Sequence, residues 1–487
     1  MAALSAVATS GCPVVVDLRS PDAAVLRDGG LPPAPGDPFD CAEAATPPPE
    51  PERRSAVGRG TPESCTEAAL RAALETGEAL SFDCGPAPHV LTLLAPLAID
   101  GTQDLDGGGR VRLDGANATR LFTLAPGATL VLRRLTLQNA QSNVGAVASI
   151  EGDQRIVLDE VLVTEAEATD VSPPGAAPRV GGGAFRLGEG STLVAYGSFF
   201  STCRASVGGA IFVDGGRVAL RNVRARDQVA EGGLGHGGTF AVGRGALTYC
   251  DGLVAGSRAG GSGGALWVGA GSATLARVHI VGAIAGGADP RLGGYGGAIA
   301  LEAAQAGATP SLTVLASTFE SNVARIAGGA VAVRAGRAAL HNVTSFRSVA
   351  EQGGGIALLA GELELRHVTL AGDEAREGAA LFTAEGTRAQ LENSLAVTLE
   401  APCAGEGERL GSGWLQRGGD PCLAGALTGD ARLAPELDRN ADPPVLPLGE
   451  GSDAIDAGDA ERCLPEDQRG APRPPEACDL GAFEREE

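Results

Sequence analysis

One short pattern, two glycines and an alanine followed by apolar, any, apolar, returns along the middle of the chain and restricts its fold more than any other feature. It reads GGAFRL from Gly182, GGAIFV from Gly208, GGTFAV from Gly237, GGALWV from Gly263, GGAIAL from Gly296, GGAVAV from Gly328 and GGGIAL from Gly353. Degenerate copies, VGAVAS from Val144 and GAALFT from Gly378, extend the repeats over 144–383. The nine starts lie 25 to 38 residues apart and average just over 29. Self-similarity at such a period marks a solenoid. Between the glycine pairs, ELELRHVTL from Glu362, SLTVLASTF from Ser311 and ATLVLRRLTL from Ala128 alternate with the period of two that belongs to strands. Neither a regular Leu and Asn framework nor two helices per unit is present, which excludes leucine-rich and armadillo-type repeats. The expected fold is therefore an all-β solenoid whose coils stack about 4.8 Å apart.

In such a coil the glycine pair serves a corner, where backbone conformations closed to other residues are needed. The fourth and sixth motif positions, from Phe185/Leu187 through Leu266/Val268 to Leu381/Thr383, should stack as interior columns. The position between them faces outward and reads Arg186, Phe212, Ala241, Trp267, Ala300, Ala332, Ala357 and Phe382.

Charge and composition remove several classes of function. The chain has 487 residues and a formal charge of −22; all 38 of its basic Lys/Arg side chains are Arg. Without Lys there is no Schiff-base lysine, Walker lysine or Ser-Lys dyad. An acidic chain with only 12 Phe, 3 Tyr and 2 Trp also lacks the positive surface and stacking rings of a nucleic-acid binder. No run of about 18 apolar residues occurs, so no transmembrane helix is expected.

The Gly-Gly-Ala-Ile unit has a Phe-x-x-Asn partner in Phe319 to Asn322, degraded to Phe200 to Cys203. Together they resemble the repeat of polymorphic outer membrane proteins, and the resemblance implies a right-handed parallel β-helix of the pectin-lyase-like type. Upstream, SCTEAALRAALETG at 64–77 is similar to the segment that opens many bacterial secreted β-helix proteins. Ser64 and Glu67 form a capping-box pattern, Leu70 and Leu74 share a helical face and Gly77 is a stop. A short N-terminal capping helix covering the open end of the solenoid is expected. At the far end, DAIDAGDAERC (453–463) and EDQRGAPRPPEACDLGAFE (466–484) closely resemble the choice-of-anchor Q domain of bacterial surface β-helix proteins. The chain stops three residues after Glu484 without a sorting motif or apolar tail, so a C-terminal anchor is not expected. The implied organisation is a signal remnant and Pro-rich arm at 1–63, a β-helix at 64–400, and a disulfide-bearing module at 401–487.

None of the ten cysteines sits in a Cys-x-x-Cys pair and the five histidines are scattered, so no metal site or cofactor is expected. Local pairing joins Cys65 with Cys84, Cys403 with Cys422 and Cys463 with Cys478, and implies an oxidising, extracytoplasmic compartment. Cys203 and Cys250 fall about two strand spacings apart, near 10 Å, beyond disulfide reach, and are expected as buried thiols. The start MAALSAVATSGC lacks a basic n-region and a full apolar core. Either it is the tail of a longer signal whose Cys12 carries lipid, or Cys12 pairs with Cys41.

Catalytic signals are sparse. Gly-His-Gly at His236 is similar to a fragment of polygalacturonases, but their paired aspartates and Arg-x-Lys are missing, and His236 fills the corner position held elsewhere by Val207, Ser262 or Tyr295. Asp104, Asp106 and Asp114 lack the spacing of a calcium loop and read as a turn. Phe212 and Trp267 share an outward column about 10 Å apart, a spacing suited to a saccharide, although the insert at 283–295 can cover them. Two functions follow: a secreted or cell-surface scaffold, adhesin-like or ligand-binding, with polysaccharide or cell-surface partners; or, on fold analogy alone, a polysaccharide lyase or glycoside hydrolase with His236 as candidate.

Overall fold

The computed structural model describes Cys41 and residues 46–77, 79–169, 181–232, 235–287 and 293–486. It is a parallel β-solenoid of about 13 turns, 47% strand and 4% helix. One hydrogen-bonded sheet of 28 strands wraps the rod, and a ladder of seven two-residue strands from Gln141–Ser142 to Val323–Ala324 closes a corner.

A repeat in the middle of the chain supplies three strands in turn. In one coil these are Leu266–Val268, then Ser272–Val281 bent across two faces, then Ile284–Ala285 in the corner ladder. The register is in phase from coil to coil: Phe185, Ile211, Phe240, Leu266, Ile299, Val331, Ile356 and Leu381 pair in one continuous column. These residues and their partners two positions on are buried in one continuous core. Only a parallel stack with a two-residue side-chain period places every motif in this way.

Neither glycine has room for a Cβ, and the first has a further reason. The first is left-handed in every copy, as at Gly263 (φ +70°) and Gly296 (φ +65°). The second lacks room: a Cβ on Gly264 would run into the carbonyl oxygen of Gly297 one coil on. Large and small residues also trade places inside. Tyr249 replaces the Leu of its column, donates its hydroxyl to Val223 O at 2.8 Å, and lays its ring where a Cβ on Gly252 would be.

Helix α1, Glu67–Leu74, buries Leu70 and Leu74 against the first coils. Its cap departs from the sequence reading. Thr66 is the N-cap and accepts from Ala69 N–H, whereas Ser64 ends a 3₁₀ turn and accepts from Arg59 N–H at 2.8 Å. Pro62 nucleates that extra turn and moves the helix start on by two residues. Glu67 pairs with Arg71 and accepts from Leu94 N–H.

The stacking crosses both borders drawn from sequence. Ser55–Gly58 pairs with Leu80–Asp83, and Arg388–Val397 pairs with Glu408–Gln416. Asp104 and Asp106 lie in the strand Thr102–Asp114, buried and ion-paired, with a bulge only beyond Asp106. The expected turn is thus a strand, because Arg54, Arg133 and Arg134 neutralise these carboxylates.

Disulfides join Cys65–Cys84, Cys403–Cys422 and Cys463–Cys478. Cys203 is a buried free thiol, but Cys250 is not: it bonds Cys41, 209 residues away. Cys203 and Cys250 stay apart as their coil spacing requires, and Cys250 finds its partner in the returning N-terminal segment. Cys41 is therefore not available to Cys12, which lies outside the described residues. No helix among those residues is long and apolar enough to cross a membrane.

Candidate functional site

Phe212, Trp267 and His236 come together on the outward face of the glycine-alanine strands. Phe212 and Trp267 flank Ala241 in one column and form a small apolar cluster with Val207 and Ala300. Both rings lie down onto glycines of the column beside them, Phe212 onto Gly243, where a Cβ would be tight, and Trp267 onto Gly269, where it would collide. They are only 7% and 8% exposed. The cover includes a side chain the sequence reading did not assign to it: the His236 ring stacks on Trp267 at 5.1 Å between centroids and 18° between planes. His236 Nδ1 accepts from Ser262 N–H at 3.2 Å, and burial pushes the imidazole below its ordinary pKa against the pull of Glu302. A ligand reaches the Trp267 face only if His236 moves.

The same face continues with Glu302, paired to Arg334, whose guanidinium lies 4.0 Å over the Tyr295 ring. Ser262 Oγ, Trp267 Nε1 and Glu302 Oε2 are buried without a hydrogen-bond partner, two donors and an acceptor close to one imidazole. A separate cleft of about 430 Å³ lies beside the Cys65–Cys84 disulfide, lined by Asp83, His89, Gly107, Gly108 and Arg110.

Part of the charged chemistry is spent on the chain's own ends, beside coil-to-coil ion pairs such as Arg221–Asp251, Arg277–Asp251 and Arg337–Glu364. Arg133 bridges Asp104 and Asp159, at 3.1 and 2.6 Å, and donates to Pro48 O at 2.7 Å; Arg134 holds Glu50 at 2.7 Å, and Arg54 holds Asp104 at 2.7 Å. Residues 48–54 are thereby strapped to the early coils.

The last 57 residues of the described chain, 430–486, form a second strap on the later coils. Glu320 takes Arg439 at 2.6 Å and His279 at 3.0 Å. Thr318 and Thr344 bond Gln468, Asn342 donates to Glu466 O, Thr369 accepts from Ala482 N–H, and Asn393 exchanges two bonds with Asp459. The motif residues of this strap also bond one another. Asp467 accepts from Arg469, Ala471 and Glu484 N–H groups, and buried Arg473 bridges Glu484 and the Gly481 carbonyl. Asp479 accepts from Asp456 and Arg485 N–H groups. The conspicuous acids and arginines of 466–484 are thus fold-forming. Sequence reasoning found the motif but had no signal for its partners, which lie between 66 and 150 residues upstream.

No protein family, curated protein or solved structure matches this chain.

Proposed function

We propose that the protein is a non-catalytic β-solenoid rod, working outside the cytoplasm as a surface or secreted scaffold of adhesin-like type. The observation that carries this reading is the double strapping: charged side chains of the early and of the later coils close onto the chain's own ends, and others pair from coil to coil. A catalytic solenoid needs convergent acids and bases open to a substrate. Here Asp104, Asp106, Glu320 and Glu392 each neutralise an arginine. Four disulfides favour an oxidising compartment. The repeat's likeness to polymorphic outer membrane proteins, and that of 453–484 to the choice-of-anchor Q module, agree with a bacterial surface protein. Incubation with acidic and neutral polysaccharides, following new reducing ends and unsaturated uronate, should give no product. Cleavage abolished by one Asp, Arg or His236 substitution would replace this reading with a lyase or hydrolase.

A second reading, ligand recognition at the His236–Trp267 cluster, is favoured by its three unpartnered polar atoms. Trp267 and Trp414 are the only tryptophans, so a Trp414→Phe chain reports Trp267 alone. Saturable change of its fluorescence by an oligosaccharide supports this reading, and none across the panel removes it.

A further inference from the structure

Three metal-ligand residues far apart in sequence meet where the C-terminal strap is clamped. His367, at a left-handed corner (φ +51°), and Cys463 and Cys478, on the strap, bring ligand atoms within 4.8 Å of one another. His367 and Cys478 are fully buried. The imidazole is already oriented. Nδ1–H donates to Gly481 O at 3.3 Å, which turns the Nε2 lone pair toward Cys478 Sγ, 3.9 Å away. There Nε2 accepts only two long bonds, both 3.3 Å, from Leu464 N–H and Asn393 Nδ2–H. A histidine whose outer N–H is anchored to a backbone carbonyl while its other nitrogen, held by long hydrogen bonds alone, faces sulfur has the arrangement of a zinc ligand once those two donors give way. In the present state the two sulfurs are joined.

We propose that when Cys463–Cys478 is reduced, His367 Nε2 and the two thiolates bind zinc, which holds the strap closed in place of the disulfide. A dithiol reductant delivers two electrons and two protons to the cysteine pair and is itself oxidised to a disulfide. Zinc then binds as both thiols release their protons. Tetrahedral zinc with bonds of about 2.3 Å to S and 2.0 Å to N places its ligand atoms roughly 3.5 Å apart, close to the 3.9 Å between Nε2 and Sγ. The Cα atoms, 6.1 Å apart, let the sulfurs separate by side-chain rotation. Two sulfurs and an imidazole select zinc over magnesium or calcium. The strap is then latched in reducing and oxidising surroundings alike.

The test reduces the full chain with a phosphine in the absence of oxygen and titrates it with Co²⁺ and then Zn²⁺, beside a Cys463→Ser/Cys478→Ser chain and a His367→Gln chain. The reduced wild type should bind one equivalent more than the double-serine chain, with a sulfur-to-cobalt charge-transfer band. His367→Gln should weaken that site at least tenfold, and the oxidised wild type should bind none there. Because reduction loosens the other disulfides as well, protease resistance of 430–486 is read in parallel: zinc should restore it to the reduced wild type and not to the double-serine chain. Equal metal uptake by the wild-type and double-serine chains, or zinc binding without protection of the strap, overturns the proposal.

Discussion

At the scale of single residues, one inward corner column explains which polar groups the core tolerates. It reads Cys203, Gln228, Ser257, Ala283, Asn322, Ser348 and Asp373, all fully buried. Gln228 accepts from Cys203 N–H at 2.9 Å, Asn322 from Ala283 N–H at 2.9 Å, and Asp373 from Ser348 N–H at 2.7 Å. Each thus satisfies a backbone donor of the preceding coil that would otherwise be buried unpaired. The Phe-x-x-Asn motif has this cause: Phe319 fills the interior and Asn322 caps the corner. Asp373 is the costly member. Its Oδ2 has no partner, and burial pushes its pKa up to about 8. An unfolded Asp titrates near about 3.9, so between about pH 4 and pH 8 the folded chain keeps a proton that the unfolded chain has lost, and stability falls as pH rises. Asp373→Asn should remove this slope. Chemical denaturation at the two ends of that window should show the variant more stable than wild type at the alkaline end by several kcal/mol, each pKa unit being about 1.4 kcal/mol. Parallel curves for the two chains would refute it.

At the scale of elements, the glycine pair is where sequence and physics agree most closely, and its second member makes a prediction against which Gly386, a turn glycine outside the pair, is the control. Gly264→Ala inserts a Cβ into the backbone of the next coil and should cost more than about 3 kcal/mol, since the parallel ladder cannot move apart locally. Gly386→Ala, with φ +77° and open space around it, should cost only about 1–2 kcal/mol of left-handed strain. Urea midpoints of the two variants check the order. The repeat, the interior columns and the three local disulfides were legible because each is a short-range or periodic signal. The Ser64 cap was misread because Pro62 starts its own turn. The role of 466–484 was not legible at all, because Asn342, His367 and Asn393 acquire their partners only once coils with left-handed corners are stacked in register. The burial of Phe212 and Trp267 was half-legible: their shared column followed from the repeat, but the stacking of His236 depends on a ring orientation that no spacing encodes.

At the scale of the whole molecule, the rod is held by closures that span it. Cys41–Cys250 ties residues 209 apart, and in the chain-entropy description a loop of that length is worth about 5 kcal/mol. Cys41→Ser should lower the denaturation midpoint accordingly under oxidising conditions, with little further change on adding it to a Cys250→Ser chain. Additive losses would show that the two cysteines act separately. The central claim is that one outward row of polar groups on the later coils, Thr318, Glu320, Asn342, Thr344, Thr369 and Asn393, is committed to the chain's own C-terminal segment. Hydrogen–deuterium exchange of the intact, oxidised chain tests it most directly, because Gln468, Arg473, Leu480 and Gly481 donate their amides to Ala482, Pro465, Ala454 and Asn393 carbonyls. Peptides within 466–484 should exchange as slowly as those over the coil strands Ser311–Leu315 and Glu362–Ala371. Exchange of 466–484 at the rate of an unstructured chain, with the coils still protected, would contradict the account.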